Sequence, residues 1–411
     1  MNKNNYNLPV EEDFTSLLAL EEASRCLLCE DAPCSASCPA QTDPGKFIRS
    51  LRFKNIDGAV DTIRLNNPLG GICARVCPTE KYCEKACSRC GIDRPINIGK
   101  LQQFITDYQE QTKYEVFKDV PNFKNKKIAI IGSGPSGLSA AFYLKIKGYA
   151  VDVYEKDPEL GGYLRYGIPS YRLPNEVIDN EIKHIANIGV KFLPNSNIDS
   201  KIIKKQLLVN YDAVLLATGL HDSFILPMFE NNSSVISAID YLKDIKEHNG
   251  EVKPSSSILI IGGGDVAMDC ALSSKKIGVS NVKVVARETF DIFPASKKEL
   301  ALTQRNNIDV YAGFTPDYID ENNKVVFKHT RDDSSLIINA DKIVLAIGQR
   351  FSDQLNLEKD ERHFIKTKNH MTSLKNLFAT GDIVKGDKTV VYSVKLGKEA
   401  AESIDSYLGG K

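Results

Sequence analysis

At 411 residues and 42% hydrophobic content, the chain can bury the cores of two or three ordinary domains. Lysine plus arginine and aspartate plus glutamate both number 53, so no overall charge draws it to nucleic acid or to an anionic membrane. The opening MNKNNYNLPVEEDFTSLLALEEASRC has no apolar signal core, and no later stretch nears the roughly 20 apolar residues of a membrane helix, so a cytoplasmic protein without nucleic-acid or membrane partners is expected.

Nine of the ten cysteines lie between Cys26 and Cys90, and only Cys270 falls later. From Glu11 to about Tyr114, short helical stretches such as Gly45 to Asn66 alternate with cysteine-rich loops carrying Pro39, Pro68, Pro78 and Pro95. That is the pattern of a small, mostly helical, metal-stapled domain. Cys26, Cys29, Cys34 and Cys38-Pro39 follow one another closely, and Cys73, Cys77-Pro78, Cys83, Cys87 and Cys90 form a second group. In a reducing compartment such crowding signals metal rather than disulfides. Closely spaced cysteines ending in Cys-Pro, the last feeding another cluster, are an iron–sulfur arrangement, and the supply of thiols suits two cubanes of about four ligands each. Paired structural zinc sites also use four thiolates, but a redox-inert ion has no evident purpose beside the nucleotide-binding motifs that follow.

A polar passage, Thr112 to Lys127, leads into KIAIIGSGPSGLSAAFYLKIKGYAVDVYEK, which reads as strand, glycine turn, helix, strand. Gly132 allows the tight turn, Gly134 lets backbone approach a pyrophosphate, Gly137 lets helix and sheet close up, and Glu155 accepts hydrogen bonds from a ribose. The pattern recurs from Ser257 as SILIIGGGDVAMDCALSSKKIGVSNVKVVARE, with Gly262, Gly264 and Ala267 in the turn and Arg287 and Glu288 closing the next strand. An acid there suits a free ribose 2′-hydroxyl and so NADH, while Arg287 leaves pairing with a 2′-phosphate open. Two complete units in one chain argue for two bound dinucleotides and hydride transfer between them. Strands YDAVLLATG (211–219) and DKIVLAIG (341–348) bracket the second unit, so the first domain is expected to be discontinuous. Near the end, FATGD (378–382) precedes a helix expected to start near Thr389, whose N-terminus would stabilise negative charge on a reduced flavin. Asp382 reads equally well as a turn residue. Cys270, alone on its helix, reads as a core residue, which disfavours a dithiol reductase. The six histidines show no metal-like spacing.

With these residues assembled, the chain resembles the PreT-type subunits of bacterial NAD-dependent dihydropyrimidine dehydrogenase and the N-terminal third of the animal enzyme. The likeness spans nearly all of the sequence and includes the runs EASRCLLCEDAPCSASCPAQTDPGKFIRS, ARVCPTEKYC, PINIGKLQQF, GIPSYRLP, IIGGGDVAMD, FPAS and GDKTVVYSVKLGKEAA. The small subunit of bacterial glutamate synthase is similar in plan but more distant. The resemblance implies one [4Fe-4S] cluster on Cys26, Cys29, Cys34 and Cys87, and a second on Cys38, Cys77 and Cys83 with Gln102 as its fourth ligand. Cys73 then becomes a buried neighbour and Cys90 a bystander, either being the replacement if Gln102 does not ligate. It further implies FAD over Gly132, Gly134, Gly137, Glu155, Gly162, Leu164, Arg172 and Asp382, and NAD over Gly262, Gly264, Asp265, Ala267, Arg287 and Gly348. Without it, Arg172 reads as a surface arginine and Asp265 as a helix N-cap.

The expected fold class is therefore α/β with an α-helical N-terminal iron–sulfur domain and two Rossmann-like dinucleotide-binding domains. The expected spans are 1–115 for the bis-[4Fe-4S] domain, 127–221 and 346–411 for the two parts of the FAD domain, and 222–345 for the NAD domain. The resemblance implies a subunit of an enzyme that reduces uracil or thymine to the 5,6-dihydro form at the expense of NADH. The stretch after Gly348 is too short for the roughly 250-residue barrel that would hold FMN and pyrimidine. A separate FMN- and pyrimidine-binding catalytic subunit, assembled with this chain in a heterotetramer, is thus expected. The alternatives are the same electron path serving a glutamate synthase large subunit or a ferredoxin, and a non-catalytic iron–sulfur and nucleotide-binding assembly module.

Overall fold

A computed structural model describes residues 5–117, 120–322, 324–352 and 355–409. The outermost residues of the expected spans 1–115 and 346–411 lie outside these. The chain divides into two compact units, one made of Glu11–Arg165, Asn175–Leu220 and Phe351–Lys411, the other of the residues as far as Val10, Tyr166–Pro174 and His221–Arg350.

In the first unit the cysteine-rich segment is a set of short helices, Ser16–Ser24, Pro44–Arg52, Ile56–Asn66, Gly70–Val76 and Ile98–Thr112. Their starts follow from local chemistry: Thr15, Asp43, Asn55 and Asn97 each accept a backbone N–H of the following turn, and Pro44 fills a first-turn position whose N–H has no helical partner. The single helical stretch expected from Gly45 to Asn66 is two helices, because Lys54 turns left-handed at φ 62° and Asn55 caps a new start. Phe47, Ile48, Leu51, Val60, Ile63, Leu101 and Ile105 pack between these helices as a core of their own.

The same unit carries a five-stranded parallel sheet in the order Leu377–Ala379, Ala213–Leu216, Lys127–Ile131, Ala150–Tyr154, Lys191–Leu193. Its central strands are buried on both faces, which is why Ile128–Ile131 and Ala213–Leu216 are continuous apolar runs without alternation. The chain returns to this sheet only at Leu377, so the domain is discontinuous as expected. Helix Pro135–Ile146 packs on the final helix, Val390–Tyr407, so closely that a Cβ on Gly397 would run into the carbonyl oxygen of Ser136.

The other unit repeats the sheet: Val235–Ser237, Lys342–Leu345, Ser257–Ile261, Asn281–Ala286, Asp309–Ala312, all parallel. The outermost strand beside Ala213–Leu216 comes last in the chain in the first sheet, whereas the one beside Lys342–Leu345 comes first in the second. A three-stranded antiparallel sheet, Phe314–Ile319, Val325–His329 and Ser335–Ile338, is inserted before Lys342–Leu345 and is not expected from the sequence. Tyr6 is fully buried in this unit, its ring edge-on to Tyr171 at 5.9 Å. Residues 5–10 thus lie with this unit rather than with the helical segment.

Candidate functional site

Cys26, Cys29, Cys34 and Cys87 all line one cavity, closed by Leu27, Pro33, Ile48, Ile96 and Ile98. Burial, then proximity to Cys87, pushes the Cys34 thiol up to about 11, and burial and Cys87 also raise Cys26. Left alone such groups stay protonated, whereas metal ions draw coordinating thiols into the thiolate form outright. Among the described residues no three or more His, Cys, Asp or Glu converge closely enough for a single metal ion. A multi-iron cluster holds its ligands farther apart, and the donor set around this apolar cavity fits one.

The remaining cysteines separate sharply. Cys73 and Cys83 are buried, and Cys77 is raised by burial, then by Cys73, Cys83 and Cys38 around it. Thr42 directs its backbone N–H at Cys38 Sγ from 3.5 Å, the kind of donor that tunes a cluster's potential. Burial pushes Cys73 up to about 12, against a hydrogen bond from Asn67. Gln102 is buried, and its Nε2 donates to the Gly70 carbonyl at 2.7 Å, which fixes the amide plane and leaves Oε1 as its acceptor atom. Cys90 is exposed with its sulfur 3.4 Å from the Glu84 carbonyl, apart from the buried group.

The first glycine turn ends strand Lys127–Ile131. Gly132 has φ 105°, and a Cβ on Gly137 would collide with the Gly132 carbonyl oxygen, so helix and turn touch directly. A Cβ on Gly134 would meet nothing within 4 Å, and Gly162, at φ 54°, lies just behind it. This bare space at a helix N-terminus has the shape and polarity that a pyrophosphate would need. Glu155 is buried and accepts from Ser133 N at 3.0 Å, Ser133 Oγ at 2.6 Å and Asp157 N at 3.1 Å. Leu164 is buried in the short helix after Gly162. Thr218 and Thr380 end the neighbouring strands with buried hydroxyls that have no hydrogen-bond partner, donors that a bound flavin nucleotide would satisfy. Asp382 follows on a short 3₁₀ turn, its carboxyl raised by burial against the pull of Lys388. Thr389 is the N-cap residue of the final helix, as placed from the sequence, although its side chain makes no capping bond.

In the second turn Gly262 has φ 138°, Gly264 again faces open space, and Ala267 is buried where the first turn has glycine. Gly264, not Asp265, caps the helix; Asp265 is its first residue and accepts from Ser296 N at 2.9 Å. Arg287 is 74% exposed and pairs with Glu288 at 3.0 Å. Gly348, at φ 104°, follows strand Lys342–Leu345 and lies beside Phe224. Arg172 is no surface residue: its Nη1 meets both oxygens of Asp269 at 2.7 and 2.8 Å, with Glu299 at 3.5 Å. Burial pushes the Asp269 carboxyl up against the opposing pull of Arg172. Asp269 closes the run IIGGGDVAMD, but nothing in the sequence marks it or Glu299 as a partner of Arg172.

Two family models cover the chain: dihydropyrimidine dehydrogenase domain II, 4Fe-4S cluster, over residues 2–114, and pyridine nucleotide-disulphide oxidoreductase over residues 126–401. The chain is 51% identical, over all of its length and 99% of the relative's, to the NAD-dependent dihydropyrimidine dehydrogenase subunit PreT of Escherichia coli O157:H7. It is 26% identical over 97% of its length to the glutamate synthase [NADPH] small chain of Azospirillum brasilense, covering 91% of that protein. Thioredoxin reductase of T. acidophilum shares the fold, with a TM-score of 0.55 at 19% identity over 69% of this chain and 99% of that one. No helix of the described residues is long and apolar enough to cross a membrane. The chain is thus an oxidoreductase with FAD, NADH and [4Fe-4S] cofactors, and it belongs to the PreT family of NAD-dependent dihydropyrimidine dehydrogenase subunits.

Proposed function

We propose that this chain is the cytoplasmic electron-input subunit of a dihydropyrimidine dehydrogenase, drawing on NADH to supply an FMN-containing partner that reduces uracil and thymine. The observation that carries the reading is the placement of two nucleotide cradles and a cysteine-lined cavity on a chain that matches PreT subunits from end to end. When bound, the cofactors supply hydride acceptance and one-electron carriage, so no side-chain nucleophile is needed.

What the residues do is bind and orient. Gly132, Gly134, Gly137 and Gly162 admit the FAD pyrophosphate to the N-terminus of helix Pro135–Ile146, and Glu155 takes a ribose hydroxyl while holding the turn through Ser133. Gly262, Gly264, Asp265, Ala267 and Gly348 form the NAD cradle, and Glu288 accepts from the free 2′-hydroxyl while holding Arg287. Arg172, anchored by Asp269, fixes the segment Tyr166–Pro174. Asp382 and Thr389 set the charge around the flavin ring. Cys26, Cys29, Cys34 and Cys87 hold one cluster; Cys38, Cys77, Cys83 and the pinned amide of Gln102 hold the other.

Anaerobic mixing of the purified holoprotein with NADH tests the input half. Flavin and iron–sulfur absorbance bleaches in turn, whereas an assembly module without turnover shows no bleaching. Co-expression with the partner, assayed with uracil and separately with glutamine plus 2-oxoglutarate, tests the output half. NADH-dependent uracil reduction that needs both chains, in a complex of two copies of each, is the expected result. Full activity by this chain alone would overturn it.

A further inference from the structure

Between Cys77 and Cys83 the chain makes a single 3₁₀ turn, Thr79–Lys81, and Tyr82 follows it. The Tyr82 hydroxyl donates to Oδ2 of Asp387, 305 residues away in sequence, and lies 3.3 Å from Oγ1 of Thr389. Lys81 Nζ reaches the same Asp387 oxygen. Asp387 and Thr389 belong to the segment joining Asp382 to the final helix, and Lys388 fastens that segment with Nζ bonds to the carbonyls of Asp382 at 2.6 Å and Val384 at 2.9 Å. An unbroken path of hydrogen bonds therefore runs from the cysteine loop to the flavin-side loop. A short turn between two cysteines has no need of a phenol for its own closure. Burial opposes ionisation of Asp387, yet the bonds from Lys81 and Tyr82 hold its carboxyl below the usual range, so an ammonium and a phenol both donate to an anion.

We propose that Tyr82 is a positioning residue that clamps the Cys77–Cys83 loop to the Asp382–Thr389 loop and so fixes the gap electrons cross from flavin to cluster. The proposal rests on the function proposed above. Tyr82 forms no covalent bond and is not itself oxidised. Bound flavin and clusters would supply the one-electron carriage, and Tyr82 and Asp387 hold together the two loops that would flank it.

The test uses the intact holoprotein and the variants Tyr82→Phe, Asp387→Asn and the pair together, after flavin and iron per chain are measured. In anaerobic stopped-flow with NADH, the flavin-bleaching phase keeps its wild-type rate in every variant. The following phase, cluster bleaching with return of oxidised flavin, slows on the order of tenfold in each single variant, the scale of lost positioning. The double variant is no slower than Asp387→Asn alone, because the bond that Tyr82→Phe removes ends on the Asp387 carboxylate. Hydrogen exchange gives a second readout: amides of 79–83 and 381–389 lose protection together. If Tyr82→Phe takes up less iron, Asp387→Asn decides, since Asp387 adjoins no cysteine in sequence. A cluster phase within about twofold of wild type in Asp387→Asn, or unchanged protection in both segments, overturns the clamp. Wild-type protein that NADH does not bleach would instead refute the underlying function, while the exchange result still judged the clamp.

Discussion

The two glycine turns share a plan and differ in finish. In the first, the third glycine touches the turn's own carbonyl, and the acid of the next strand is buried and bonded back into the turn through Ser133. In the second, Ala267 shows that helix and strand leave room for a methyl group, and the acid stands partly exposed beside an arginine that faces solvent. A closed cradle suits a group that stays; an open one suits a nucleotide that arrives, reacts and leaves. The cysteine cavity shares a compact unit with the closed turn, so on the function proposed above that unit would gather the resident cofactors.

The hardest test of this contrast is Gly137→Ala. The added methyl group strikes a backbone oxygen that cannot rotate away, at a cost of about 1–3 kcal/mol in overpacking, and it spreads the turn that holds the pyrophosphate. Purified protein should lose bound flavin to background while keeping its iron, read from absorbance and iron per chain. The mirrored change, Ala267→Gly, should leave flavin untouched and alter the KM for NADH by less than about threefold, since a small cavity at a buried alanine costs on the order of 1 kcal/mol.

The cysteines give the next largest effect. Cys87→Ala should remove about half of the iron, one of two cubanes, because Cys87 lines the same cavity as Cys26, Cys29 and Cys34. Cys90→Ala should leave iron content and the cluster signals in electron paramagnetic resonance unchanged, because its thiol faces solvent. Equal losses in both variants would show that the ligand sets are drawn wrongly.

The contrast between the turns also marks how far the fold and the site are legible in the amino-acid sequence. The strand–turn–helix units are legible because apolar runs and glycine spacing are local signals, and helix starts at Thr15, Asp43, Asn55 and Asn97 are in principle legible for the same reason. The grouping of Cys87 with Cys26, Cys29 and Cys34 is not legible from spacing, since it depends on how helices fold across one another; family resemblance supplies it. Tyr6 in the second unit, the Arg172–Asp269 pair, the Tyr82–Asp387 bond and the inserted antiparallel sheet leave no trace in periodicity. Each depends on partners far apart in sequence, where a lone polar residue looks like any other surface residue. The same holds for Arg64, which meets Glu181 at 2.5 Å and Gln109 at 2.6 Å inside the first unit.

On the open side, Glu288→Gln should narrow the preference for NADH over NADPH by about tenfold, the worth of one hydrogen bond to a charged group. The variant loses the charge that repels a 2′-phosphate and frees Arg287 to pair with one. Ratios of kcat/KM for the two nucleotides measure it, and an unchanged ratio would mean that specificity is set elsewhere in the second unit.

The smallest effect concerns how the closed unit is held together. Asp405, on the final helix, accepts from Lys124 at 2.5 Å, Lys147 at 2.9 Å and Tyr149 at 2.6 Å. Burial pushes its carboxyl up, but these three bonds outweigh it and bring the group down from 3.8 to about 2. A carboxyl lowered on folding adds stability that is fully present above about pH 4 and disappears as pH falls through about 2. Asp405→Asn should therefore lower the Tm at neutral pH by about 1–2 °C for each kcal/mol lost, and the gap from wild type should shrink between about pH 4 and pH 2. If the gap stayed constant across that window, the lysine bonds would be solvent-screened contacts of little worth, and the packing of the final helix on Pro135–Ile146 would have to hold the closed turn alone.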